Sequence, residues 1–136
     1  MKRSASANWK GTGKDGKGTV SSQSGVLSNT AYSYKSRFED GTGTNPEELI
    51  AAAHSGCFTM KLSFLLSGAG FTPENLDTKA TITLDNGAIT SSHLELKATV
   101  PGLDKAKFAE LAEEARTNCP ISKLLNTEIT LDAELI

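Results

Sequence analysis

The alternation of two hydrophobic periods predicts an α+β fold with the element order βββ-α-ββ-αα-β. Three observations carry that reading. Period-two patterning runs through the first third and again after Pro73. A long apolar stretch of helical spacing extends from Asn45 to Ser67, and a second capped helical pattern follows Pro101-Gly102. At 136 residues the chain reads as a single domain, 1–136, long enough to bury about two thirds of the surface its unfolded chain exposes.

Taken in order, Ser6 to Trp9 predicts the first strand, and the glycine-rich turn at 14–18 leads to a second at Thr19–Ser22. A third strand is expected where Tyr32, Tyr34, Ser36 and Phe38 alternate with Lys35 and Arg37, which sets Arg37 on the side opposite Tyr34 and Phe38. Asn45-Pro46-Glu47-Glu48 is a helix start: an N-cap asparagine, proline at the first helical position and acids in the first turn. Leu49, Ala52, Ala53, Cys57, Met60 and Phe64 follow at helical spacing, with Ile50, Phe58, Leu62, Leu65 and Leu66 widening the apolar surface. Such a helix is expected to be central and enclosed, and to pack against antiparallel sheets. Thr78, Ala80, Ile82 and Leu84 then alternate with polar residues, Asp85-Asn86-Gly87 predicts a hairpin, and Ile89 to Val100 runs back. Asp104 caps a helix with Phe108, Leu111, Ala112 and Ala115 inward. Cys119-Pro120 opens a short third helix through Leu125, and Glu128 to Ile136 closes as a strand.

Hydrophobic residues at 38%, charged residues at 22% and a net charge of −2 describe a globular chain rather than a disordered one. The same balance leaves no footprint for nucleic acid, which needs a clustered basic face. Lys2, Arg3, Lys10, Lys14 and Lys17 are interrupted by glycine and serine, so a solvated arm or hairpin is expected there. No apolar run approaches the roughly 20 residues of a membrane span, and the basic start lacks the apolar segment of a secretory signal. The expectation is a cytoplasmic protein with no membrane partner.

Cys57 and Cys119 are the only sulfhydryls, and on the residues alone several readings stand. Cys57 is inert packing on an apolar helix. His54, Cys57, His93 and Cys119 are a four-ligand zinc set on paper, although structural sites draw their ligands from short turns with paired spacing. His54 is a base for Cys57 in a hydrolytic dyad, although no orienting acid or oxyanion-hole motif accompanies it. Thiol redox chemistry is the fourth reading. A cation beside a sulfur favours the reactive thiolate, peroxide converts that thiolate to a sulfenic acid, and a second thiol condenses with it. Arg37 is an available cation, and the acids Glu47 and Glu48 can hold it by a bidentate ion pair.

The run Thr44-Asn45-Pro46-Glu47-Glu48-Leu49-Ile50-Ala51-Ala52-Ala53-His54-Ser55-Gly56-Cys57-Phe58, with Cys119-Pro120 much later, resembles the signature of the OsmC/Ohr family, the osmotically inducible and organic-hydroperoxide-resistance proteins. Trp9, Gly16–Ser21, Ser24–Leu27, Arg37–Glu39 and Glu128–Asp132 extend the resemblance over nearly the whole chain. Ser24-Gly25-Val26-Leu27 and the placement of Arg37-Phe38-Glu39 resemble the OsmC branch in particular. The resemblance implies an OsmC-like fold in an intertwined homodimer, with sites at the subunit interface and the long helices central. It implies a thiol-dependent peroxidase that reduces organic hydroperoxides, with hydrogen peroxide as a second substrate, in oxidative and osmotic stress defence. Cys57 matches the peroxide-attacking cysteine and Cys119 the resolving one, which together close an intramolecular disulfide. Arg37 matches the thiolate-stabilising arginine and Glu47 the glutamate that pairs with it. No metal, haem or flavin cofactor is implied; the reductant is an external dithiol of the dihydrolipoyl type. One departure is the short Asp85-Asn86-Gly87 connection where other members can carry a longer one. The alternative is a non-enzymatic, stress-related dimer that binds a small apolar ligand.

Overall fold

β1 (Ala5–Lys10), β2 (Lys17–Ser22) and β3 (Thr30–Tyr32) form an antiparallel sheet in the order β1-β2-β3. Trp9 and Tyr32 meet across its face with ring centroids 5.2 Å apart. Gly18 passes beneath both rings, where any Cβ would collide with each of them, so a side chain at this position would displace the aromatic pair. The computed structural model describes residues 1–136. It divides into two compact units, Met1–Leu49 and Ile50–Ile136, which are described separately.

The N-terminal unit departs from expectation at Tyr34–Phe38, which is a short helix, α1, and not a continuation of the third strand. Residues 34 and 38 share a face in a strand and in a helix alike, so alternation alone does not separate the two. A capping box decides the matter. Ser33 Oγ accepts from the Ser36 N–H, while Ser36 Oγ accepts from the Ser33 N–H at 2.8 Å. Tyr34 and Phe38 then stack on one face with centroids 4.9 Å apart. Arg37, expected on the far side of the chain, instead carries its guanidinium over the Phe38 ring at 5.1 Å. Ser36 also donates to the Thr44 carbonyl at 2.8 Å, and Asn45 Nδ2 donates to the Ser36 carbonyl at 3.0 Å, which ties α1 to the start of the long helix.

That helix, α2 (Pro46–Gly68), begins as the sequence predicts, with Asn45 Oδ1 accepting the Glu48 N–H at 2.8 Å. It ends at Gly68, and the chain turns away at Gly70, whose φ of 90° suits glycine, with the Phe71 N–H returning to the Leu66 carbonyl at 2.9 Å. Its buried residues are His54, Phe58, Leu62 and Leu66, a stripe spaced by four. The opposite face is uncovered in the single chain, with Met60 and Phe64 exposed by 64% and 70%. By length and composition α2 is apolar enough to cross a membrane, which corrects the reading that no such segment exists. His54, Ser55, Gly56, Thr59, Lys61 and Ser63 interrupt the apolar run but leave the average over a window apolar. The buried stripe nonetheless belongs to the core of the C-terminal unit.

In that unit β4 (Asn75–Asp85) and β5 (Ala88–Thr99) form the expected antiparallel hairpin. Asn86 and Gly87, with φ of 50° and 77°, make its two-residue turn. β6 (Glu128–Leu135) differs from the expected antiparallel arrangement, because it pairs with β5 in parallel from Ser91↔Glu128 to Ala98↔Leu135. Two helices intervene, α3 (Lys105–Asn118) and α4 (Pro120–Leu124), and a crossover of that length returns the chain to the same end of the sheet. The sheet order β4-β5-β6 makes β5 central. Its inward residues Ser92, Leu94, Leu96 and Ala98 are all buried, and the three apolar ones join Phe58, Leu62, Leu66, Phe108, Leu111, Ala112, Ala115 and Cys119 in one core. Asp104 caps α3 by accepting the Lys107 N–H at 2.8 Å, and Arg116 donates to the Ile129 carbonyl at 3.0 Å, fastening α3 to β6.

Leu94 lies at the centre of this core and is fully buried, so Leu94→Ala is expected to cost about 3 kcal/mol, lost transfer energy plus a cavity. Urea denaturation followed by circular dichroism measures it, and a loss below about 1 kcal/mol would contradict the packing described.

Candidate active site

Four side chains singled out from the sequence fall into two pairs, one in each unit. In the N-terminal unit α1 supplies Arg37 and the first turn of α2 supplies Glu47. The Arg37 Nε and Nη2 donors both reach Glu47 Oε1, at 2.9 and 2.8 Å. The pair is therefore not the bidentate fork expected from the sequence, since both N–H groups converge on one oxygen. Glu47 Oε2 is buried and accepts no hydrogen bond. Glu48, the adjacent acid, points elsewhere and takes a bond from Asn45 Nδ2 at 3.3 Å. The carboxylate fixes the azimuth of a guanidinium that remains partly open to solvent, the geometry of a presented cation rather than a sequestered one.

In the C-terminal unit α2 supplies Cys57 and the junction of α3 and α4 supplies Cys119. Both are free thiols, Cys57 half-buried and Cys119 fully buried. Cys119 closes α3, its N–H reaching the Ala115 carbonyl at 3.0 Å. It also caps α4, its Sγ accepting the Ser122 N–H at 3.3 Å. Pro120 at the first position of α4 enforces the break. Residues far apart in sequence become neighbours here. Burial pushes the Cys57 thiol above its ordinary pKa. The Ile121 backbone N–H, in the first turn of α4, pulls it down, the adjoining Cys119 thiol pushes it up, and the Lys61 ammonium pulls it down. Within its own unit, then, Cys57 favours the thiol over the thiolate.

His54 and Ser122 complete the neighbourhood. The imidazole is fully buried and both ring nitrogens are engaged, Nδ1 with Ser92 Oγ at 2.6 Å and Nε2 with Ser122 Oγ at 2.8 Å. Ser122 Oγ lies 3.0 Å from Cys119 Sγ. The zinc set does not assemble, because no three of the His, Cys, Asp and Glu side chains group as metal ligands. His93 instead bonds Thr130 Oγ1 at 2.6 Å and pairs with Asp132 at 3.1 Å. The dyad of His54 with Cys57 is not formed either, since both nitrogens turn to serines. Ser92 and Ser122 escaped notice in the sequence, although each carried a signal. Ser92 continues the inward period of Leu94, Leu96 and Ala98, and Ser122 follows the helix-opening Cys119 at capping distance. A cleft of about 670 Å³ opens beside α2 and the start of β4, lined by Gly56, Thr59, Met60, Pro73 and Thr78 among others; neither thiol lines it.

The fold is α+β with two three-stranded sheets, and the C-terminal unit holds a pair of neighbouring thiols. The model of one family, described as OsmC-like protein, matches residues 39–134. The chain is 49% identical over 133 residues to the peroxiredoxin OsmC of Escherichia coli strain K12, covering 95% of this chain and 93% of that one. It is 31% identical over 127 residues to organic hydroperoxide resistance protein-like 2 of Staphylococcus epidermidis, covering 88% and 87%. In structure it resembles an OsmC-like protein from Mycoplasma pneumoniae, with a TM-score of 0.78 over 100% of this chain and 98% of that one at 13% identity, a likeness of fold. The chain belongs to the OsmC family, and within it stands nearer the OsmC relative than the organic hydroperoxide resistance relative.

The buried imidazole has a pH signature. Burial lowers the His54 pKa below its ordinary value near 6.5, so the unfolded chain binds a proton more readily than the folded one. The stabilising balance is intact above about pH 6.5 and is lost as the pH falls below that value toward the folded pKa. The melting temperature of the wild type is expected to drop between about pH 7.5 and pH 5 more steeply than that of His54→Gln. Equal slopes in differential scanning calorimetry would remove His54 as the cause.

Proposed function

We propose that the chain is a thiol-dependent peroxidase that reduces organic hydroperoxides in oxidative and osmotic stress defence. The observation that carries the reading is the adjacency of Cys57 and Cys119 at the first turn of α4. It is supported by the names of the E. coli and S. epidermidis relatives. The enzyme is of the peroxidase class. Cys57, as a thiolate, attacks the O–O bond of the hydroperoxide, an alcohol leaves, and the sulfur is left as a sulfenic acid. Cys119 condenses with it, water is released and a disulfide closes. An external dithiol of the dihydrolipoyl type then reduces the disulfide.

The raised pKa of Cys57 makes a cation necessary, because a half-buried thiol beside a second thiol holds its proton at neutral pH. Arg37, oriented by Glu47, supplies that charge in this reading. It also polarises the bound peroxide, and the chemistry then needs no metal, haem or flavin. The active form is a homodimer in the cytoplasm. An apolar face of α2 carrying Met60 and Phe64 on adjacent turns is larger than isolated surface residues require, and a second copy of the chain would cover it.

Reduced protein treated with one equivalent of cumene hydroperoxide and then digested tests the reading. A peptide linking residues 57 and 119 is expected, Cys57→Ser abolishes turnover, and Cys119→Ser stops at the sulfenic acid. Arg37→Ala slows the peroxide step by on the order of tenfold for each unit by which the thiol pKa rises. Two free thiols surviving the peroxide would sink the peroxidase reading, and an unchanged rate in Arg37→Ala would remove that residue from its role.

A further inference from the structure

We propose that Ser122 and His54 form a proton relay for Cys119, carrying away its thiol proton as its sulfur closes on Cys57. The proposal rests on the peroxidase reading and deepens it, by assigning the acceptor that the disulfide-forming step requires. Its basis is a continuous chain of polar atoms in an otherwise apolar core. Cys119 Sγ lies 3.0 Å from Ser122 Oγ, Ser122 Oγ lies 2.8 Å from His54 Nε2, and His54 Nδ1 lies 2.6 Å from Ser92 Oγ. His54, Ser92 and Cys119 are fully buried and Ser122 is nearly so. Four polar groups in such a place need mutual hydrogen bonds, yet mutual satisfaction does not require that the line end on a thiol.

The chain is satisfied in both protonation states. Before transfer, Cys119 S–H donates to Ser122 Oγ, the Ser122 hydroxyl donates to His54 Nε2, and His54 Nδ1–H donates to Ser92 Oγ. After transfer, His54 Nε2–H donates to Ser122 Oγ. The Ser122 hydroxyl then turns to the Cys119 thiolate, which also receives the Ser122 backbone N–H at 3.3 Å. Each atom of the line from Cys119 to His54 keeps a partner in both states, so the cost of moving the proton is that of a buried imidazolium and a buried thiolate, which attract each other across Ser122. Burial keeps that imidazole neutral at rest and therefore ready to accept. Ser122 touches the reacting sulfur, whereas His54 acts through it.

In the step itself the Cys119 sulfur forms a bond to the Cys57 sulfur while the S–O bond of the sulfenic acid breaks. The oxygen leaves as hydroxide and takes a proton from solvent, giving water. The Cys119 proton passes through Ser122 to His54, which holds it. The Cys57 sulfur is reduced and the Cys119 sulfur oxidised by one unit each, so electrons balance. When a dithiol reopens the disulfide, Cys119 departs as a thiolate and the relay runs in reverse.

Full-length reduced protein is mixed with one equivalent of cumene hydroperoxide and quenched with dimedone at increasing times. Intact mass then separates the sulfenic acid from the disulfide. Ser122→Ala is expected to slow disulfide closure about 100-fold relative to sulfenic acid formation, and Ser122→Thr, which keeps the hydroxyl, restores it. Wild-type closure is expected to slow in D2O, a measurement that needs no variant to fold. Closure at the wild-type rate in Ser122→Ala, or wild-type closure insensitive to D2O, would overturn the relay alone. A wild type that forms no sulfenic acid at Cys57, or no 57–119 disulfide, would overturn the peroxidase reading and the relay with it.

Discussion

Four residues of α2 spaced four apart, His54, Phe58, Leu62 and Leu66, constrain the C-terminal unit more than any other feature. Three fill the core against the inward side of β5 and against α3, and the fourth is polar. A single polar residue on an otherwise apolar stripe must find partners in the dry interior or the burial is unfavourable. The partners are Ser92 on β5 and Ser122 on α4. Two bonds from one imidazole therefore fix the register of α2 against the sheet and the position of the short helix that begins at Cys119. Cys57 lies three residues further along the same helix, and its adjacency to Cys119 is a by-product of how His54 is satisfied.

The cation and the thiols are prepared by different local devices. Arg37 takes its place from a serine capping box and from one carboxylate oxygen. Cys57 takes its character from partial burial, from a neighbouring thiol and from a helix N–H that opposes them. The causes acting on Cys57 within its unit leave its pKa raised.

Much of this was legible in the sequence, for reasons that differ from element to element. The α2 start was readable because Asn45, Pro46 and the two glutamates act locally. The β4–β5 hairpin was readable because Asn86-Gly87 permits few other turns. Tyr34–Phe38 was not, because a spacing of four satisfies both helical and strand periods and only the Ser33/Ser36 reciprocity separates them. The direction of β6 was also hidden. Parallel and antiparallel strands share one side-chain alternation, and the choice depends on where the crossover delivers the chain. The thiol pair was readable only through resemblance, since no local rule relates residue 57 to residue 119. Ser92 and Ser122 lay in view, but serine is common enough that only the position of His54 gives them meaning.

The parallel pairing of β6 has a consequence for the behaviour of the chain in solution. β5 carries the most buried side chains of its sheet, and as an edge strand it would offer unpaired N–H and C=O groups to any neighbouring molecule. With β4 on one side and β6 on the other, both of its edges are occupied. The strands left outermost bear Asp77, Lys79 and Asp85 on β4 and Glu128, Asp132 and Glu134 on β6. The final strand is therefore a guard as much as a structural member. It occupies the second edge of the most buried strand of the unit and presents charged side chains in its place.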